Sequence, residues 1–229
     1  MNISTSNFAN LLGNLHNQHN LYSLDAFNVK SKKNILNHLD DFTYLKEFYA
    51  AYIKKLINYN SEKLKNNKAR SVDLPFVGEN VIKTGKTKFI FYFEGSLGPI
   101  DNISITVLSH LWLTTDESII KKFVGKGKWW TPGNYKNVKD KLDIPIKHLS
   151  NSYIADSKRF NSDEKCSNLI EEEIKLLQPK LVVAIGNTAK NLVGMKFYDL
   201  PTKFHFVKFP KYHNDLQIYE ELNMILNKL

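Results

Sequence analysis

The sequence predicts an α/β protein: a central, mostly parallel, four-stranded sheet in a three-layer α/β/α arrangement, preceded by a helical N-terminal extension. Three observations predict it. Short apolar or aromatic runs at 88–93, 152–156, 181–185 and 205–209 read as buried strands. In the last third of the chain these runs alternate with amphipathic helical stretches, the pattern of parallel strands joined by crossover helices. The first 70 residues, by contrast, are polar, Asn-rich and free of proline.

Each element follows from local signals. Leu45, Phe48, Tyr49, Tyr52, Ile53 and Leu56 recur at helical spacing and place a helix in the extension. Lys63 to Arg70 is a basic, solvated segment. The boundary falls near residue 75, giving an extension over 1–75 and an α/β domain over 76–229. Lys88-Phe-Ile-Phe-Tyr-Phe93 is the first strand, and Glu94-Gly-Ser-Leu-Gly-Pro99 is a glycine-rich loop after it. Residues 102–120 read as helix. Ser152-Tyr-Ile-Ala-Asp156 is a second strand. Leu169, Ile170, Ile174 and Leu177 share one face of a helix over 168–177, with Pro179 as its stop signal. Leu181-Val-Val-Ala-Ile185 is a third strand, and Gly186-Asn-Thr-Ala189 opens the next helix. His205-Phe-Val-Lys-Phe209 is the fourth strand, followed by a final helix over 216–228.

Charge and cysteine usage narrow the function classes. The chain of 229 residues carries 32 basic and 23 acidic groups, a net charge of +9. A basic chain points to a polyanionic partner, most often nucleic acid. All but Arg70 and Arg159 of the basic residues are lysines, a bias that an AT-rich genome also produces. The segment 121–147 holds eight lysines and two aspartates, a local net of +6, together with Trp129 and Trp130. Lys126, Lys128, Trp129 and Trp130 are therefore candidate DNA contacts. Cys166 is the single cysteine, which excludes an intrachain disulfide and any site built on several thiolates. No run approaches the ~18 apolar residues of a membrane span. The N-terminus lacks a basic region followed by an apolar one, so the expectation is a cytoplasmic protein with no membrane contact.

Ligands of open parallel sheets bind beyond the carboxyl ends of the strands. That rule selects Glu94, Asp156 and the turn Pro210-Lys-Tyr-His-Asn214, which are expected to converge in one cleft. The loop bearing Gly95 and Gly98 is neither a P-loop nor a dinucleotide fingerprint, because it lacks the Gly-Lys-Ser/Thr ending and a third glycine.

The segment CSNLIEEEIKLLQPKLVVAIGNTAKNLVG (166–194) resembles the uracil-DNA glycosylase superfamily. It is most similar to the iron–sulfur branch, with a cysteine before LEEEIxLxxPKVIVALGxTA. SYIADSKRF (152–160) resembles that branch's VYITNVVK strand. YFEGSLGP (92–99) resembles its GEAPG motif, with Glu94 on the glutamate. FPKYHND (209–215) resembles HPSxxN, with Pro210 and Asn214 retained. The likeness covers roughly residues 85–225, and its most specific stretch is scaffold, which speaks for fold before activity.

Three departures accompany it. The cluster cysteines other than Cys166 are missing, so no metal cluster and no cofactor is expected. Phe209 stands at the motif histidine, with His213 four residues on. Asp156 stands at the asparagine that reads the base edge. An ionised aspartate only accepts hydrogen bonds. It therefore disfavours uracil O4 and favours the exocyclic amine of a cytosine-type base.

The resemblance implies a monomeric glycosylase that flips and excises an altered base in DNA, a modified cytosine above all, in repair or in defence against foreign DNA. Glu94 and His213 are the expected catalytic groups. Asp156, Tyr92, Phe93, Phe209 and Asn214 are the expected base contacts. Arg159, Lys208 and Lys211 join the segment 121–147 in binding DNA. The alternatives are a catalytically silent DNA-binding member of the fold and a small-molecule nucleoside hydrolase.

Overall fold

A computed structural model describes residues 5–21, 43–58, 75–95, 148, 150–195, 201–208 and 215–229. In chain order the elements are α1 (Thr5–Gln18), α2 (Thr43–Asn58), β1 (Phe76–Val77), α3 (Glu79–Thr84), β2 (Phe89–Gly95), β3 (Ser152–Lys158), α4 (Asp163–Leu177), β4 (Leu181–Ile185), α5 (Asn187–Gly194), β5 (Lys203–Val207) and α6 (Asp215–Asn227). The expected helix over 102–120 lies outside the described residues.

The fold is mixed α/β around a mostly parallel sheet of five strands in the order β1-β3-β2-β4-β5. The expected four strands are present and parallel. The fifth, β1, is two residues long and pairs antiparallel with β3, Phe76 opposite Ile154 and Val77 opposite Tyr153. It carries no periodic signal because its pairing is imposed from outside. The Gly78 N–H donates to Ser152 O, and the Tyr49 hydroxyl both donates to Pro75 O and accepts from the Val77 N–H.

Strand alternation sorts the side chains into two apolar clusters. Ile90, Tyr92, Tyr153, Ala155, Val182 and Ala184 join α1, α2, α4 and α5 on the first face. Phe89, Phe91, Ile154, Val183, Ile185 and Val207 meet Leu222 and Leu226 of α6 on the second. The N-terminal helices belong to the first cluster. Phe8 and Leu12 of α1 pack on Phe48 and Tyr52 of α2, with the Phe8 and Phe48 rings 5.8 Å apart. Burying a large apolar side chain contributes roughly 1.5–3 kcal/mol, so this face of the sheet depends on α1 and α2 for its cover.

Helix α4 starts five residues before its apolar periodicity does. Ser162 accepts from the Lys165 N–H, and Asp163 and Glu164 occupy the first turn. These are the cap and charge preferences of a helix N-terminus. Its end is a left-handed Gln178 before Pro179. Strand β4 coincides with its expected limits. Strand β5 lies two residues earlier than expected, over Lys203–Val207. It is the sheet edge, with Lys203 and Phe204 exposed, so its limits follow from pairing with β4 rather than from a buried apolar run.

Candidate active site at the carboxyl edge of the sheet

Among the four parallel strands the spatial order is second, first, third, fourth in the chain. Chain direction across the sheet therefore reverses at the β2–β4 pair. Such a switch point opens a crevice beyond the strand ends, where open α/β sheets place their ligands.

Glu94 stands at this point. It follows Ile90 and Tyr92 on the first face and is half-buried. Its Oε1 accepts from the Thr188 N–H at 3.4 Å, in the first turn of α5. A carboxylate there complements the positive end of the helix dipole. Gly186, between β4 and α5, has φ +94°, a conformation that side chains disfavour. A Cβ at that position would also collide with Glu94 Cγ, Cδ and Oε1. The Ser157 hydroxyl donates to Glu94 O at 3.2 Å and ties the end of β2 to β3. Glu94 thus caps the helix after β4, not one following its own loop. A half-exposed, anchored carboxylate can stabilise developing positive charge or orient a water molecule.

Asp156 lies opposite Phe93 in the β2–β3 register. It is 6% exposed, and its Oδ2 is buried without a hydrogen-bond partner among the described residues. Burial pushes its carboxyl up to about 7, against the opposing pull of the Arg159 charge. The acid and the carboxylate are both populated near neutrality, so the acceptor-only argument holds for only part of the molecules. Alternation also separates the two carboxyls: Asp156 follows Ile154 on the second face, and Glu94 follows Tyr92 on the first. Their convergence is at the strand edge, not on one face. Half-buried Phe93 is beside Asp156 and packs on the second cluster.

Two expected site residues are corrected. Tyr92 is 0% exposed and packed in the first cluster, with its hydroxyl donating to Glu173 Oε2 at 2.8 Å, so it has no ring face to offer a base. Arg159 is 1% exposed and grips Glu173 with both terminal nitrogens, at 2.6 and 2.5 Å, so it has no reach to a phosphate. Nor does Arg159 pair with Asp156. Lys208 is exposed beyond β5. Lys126, Lys128, Trp129, Trp130, Phe209, Lys211, His213 and Asn214 lie outside the described residues.

The group that sequence reasoning missed is Glu173. Besides Arg159 and Tyr92, its carboxylate accepts from the Tyr153 hydroxyl at 2.6 Å and from His16 Nε2 at 2.7 Å. His16 Nδ1 in turn accepts from the Tyr52 hydroxyl. These partners define one neutral tautomer, protonated on Nε2. Burial lowers the His16 pKa, in agreement. Burial alone would raise the Glu173 carboxyl, but the charge and hydrogen bonds of Arg159, with those of His16, hold it well below the usual range. Burial and the Glu173 anion raise both tyrosine hydroxyls. One carboxylate so links α1, β2, β3 and α4. The signal was present: Glu173 falls on the stripe of Leu169, Ile170, Ile174 and Leu177, where a charge must have a buried partner.

Among the described residues no three His, Cys, Asp or Glu side chains gather as a metal-binding group, and no helix is long and apolar enough to cross a membrane. No protein-family model matches this sequence, and no curated protein matches it significantly.

Proposed function

We propose that the protein is a DNA glycosylase with the three-layer architecture of the uracil-DNA glycosylase superfamily, acting on an altered base, with a modified cytosine the leading candidate. The observation that carries this reading is Glu94 at the β2–β4 switch point, anchored on Thr188 and given room by Gly186. The strand order and the net charge of +9 support it.

Each step has a residue type suited to it. The target nucleotide leaves the stack, because its glycosidic bond is out of reach inside a duplex. Lysines of the 121–147 segment and Lys208 neutralise phosphates. Breaking the bond leaves positive charge on the sugar and negative charge on the base. Glu94 stabilises the sugar cation and orients the water that adds to C1′, taking up its proton. His213 or another donor of the 209–214 turn stabilises the departing base. Phe93 and Phe209 are the aromatic rings left to stack on it.

The test is an abasic-site assay on duplexes carrying uracil, cytosine, 5-hydroxymethylcytosine or its glucosylated form. Wild type is expected to give abasic product on at least one base. Glu94→Gln should retain DNA binding and lose roughly 100-fold or more in turnover, the scale of a positioned acid–base group. Full turnover by the variant would remove Glu94 from the chemistry. Tight binding with no product on any base would make the protein a silent DNA-binding member of the fold.

A further inference from the structure

We infer that Asp156 is a specificity-determining residue that reads two classes of base, one through its carboxylate and the other through its carboxylic acid. The inference rests on the glycosylase reading, and its geometry is that of an orphaned buried carboxyl. Asp156 sits at the carboxyl end of β3, 6% exposed, with Oδ2 unpartnered among the described residues.

The cations nearest in the chain are committed elsewhere. Lys158 pairs with Asp163, and Arg159 pairs with Glu173. Across the strand pair, the residue opposite is uncharged Phe93, and Glu94 belongs to the other face. Strand β1 ends before reaching Asp156 and brings no charge. On the first face, α4 brings the engaged Glu173, and α5 brings Lys190, whose ammonium lies over the Phe206 ring. Only the Arg159 charge opposes protonation of Asp156, and burial outweighs it, with the midpoint at about 7. A buried carboxyl without a bound counterion takes up a proton instead of remaining charged.

The two forms recognise different edges. The carboxylate only accepts, so it holds an exocyclic amine such as cytosine N4 and repels a carbonyl oxygen. The acid both donates and accepts, as an amide does. Its O–H donates to uracil O4 while its carbonyl accepts from N3–H. An amine-bearing base is therefore accepted in either state, and a carbonyl-bearing base only while Asp156 carries its proton.

The test measures kcat/KM for uracil and for 5-hydroxymethylcytosine in the same duplex between pH 6 and 9. In wild type the uracil-to-cytosine ratio should fall about tenfold per pH unit above about 7, as loss of a single required proton dictates. Asp156→Asn keeps donor and acceptor at every pH, and its ratio reports the intrinsic pH dependence of the two bases. Asp156→Ser is a second reference without a titrating group. A wild-type ratio that runs parallel to the references would overturn the inference and leave the glycosylase reading standing. Absence of product on every base would overturn both, a result distinct from parallel profiles.

Discussion

Glu173 accepts five hydrogen bonds while fully buried, and Arg159 has no other partner for its terminal nitrogens. Replacing it with glutamine leaves the guanidinium buried and uncompensated. Glu173→Gln is expected to destabilise by roughly 3–5 kcal/mol, the cost of breaking a buried pair from one side. Denaturant unfolding at pH 7 reads this directly. Asp156 has the opposite sign. Its folded pKa of about 7 exceeds the unfolded 3.8. The carboxyl therefore costs nothing below about pH 4, costs progressively more up to pH 7, and a constant amount above. Asp156→Asn removes that cost. The variant should match wild type near pH 4 and exceed it at pH 8, with a ceiling of about 4 kcal/mol at roughly 1.4 kcal/mol per pH unit. Unfolding midpoints for both proteins at the two pH values check it, and a gap independent of pH would contradict the buried-acid account. Only one of these two residues was legible beforehand. Asp156 ends a readable strand, whereas Glu173 is one of three consecutive glutamates whose burial depends on partners 14 to 157 positions away.

At the scale of elements, α1 is held to the sheet by Phe8, Leu12 and the His16–Glu173 bond. Leu12 is fully buried between α1 and α2. Leu12→Ala is expected to cost about 2–5 kcal/mol, the range for a core leucine truncated to alanine. A thermal melt monitored in the near ultraviolet, where Tyr49, Tyr52 and Tyr92 report packing, should show one cooperative transition shifted down. A separate early transition would mean that the N-terminal helices melt independently of the sheet. Elements with their own signal were legible. Strand β4 reads from five consecutive apolar residues between Pro179 and Gly186, and the apolar face of α4 reads from its period. Strand β1 and the limits of β5 were not, because an edge takes its pairing from its neighbour.

For the whole molecule, the consequence of a net charge of +9 is electrostatic. DNA binding should weaken steeply with salt, because each phosphate neutralised releases condensed counterion. Titrations of a labelled duplex between 50 and 200 mM salt are expected to show a log–log slope of magnitude several, about 0.9 per phosphate contact. A slope near zero would speak for a small-molecule substrate. By itself the sequence determined the α/β class, the four parallel strands, the basic character and the positions of Glu94 and Asp156 at strand ends. These follow from local periodicity and composition, which act within a few residues. Only the tertiary structure decided that Tyr92 and Arg159 are buried around Glu173, that Glu94 caps the helix after β4, and that the orphaned Asp156 holds a proton near neutrality. Each of those depends on which distant groups share a low-dielectric interior, and no local pattern encodes desolvation or the identity of a partner across the sheet.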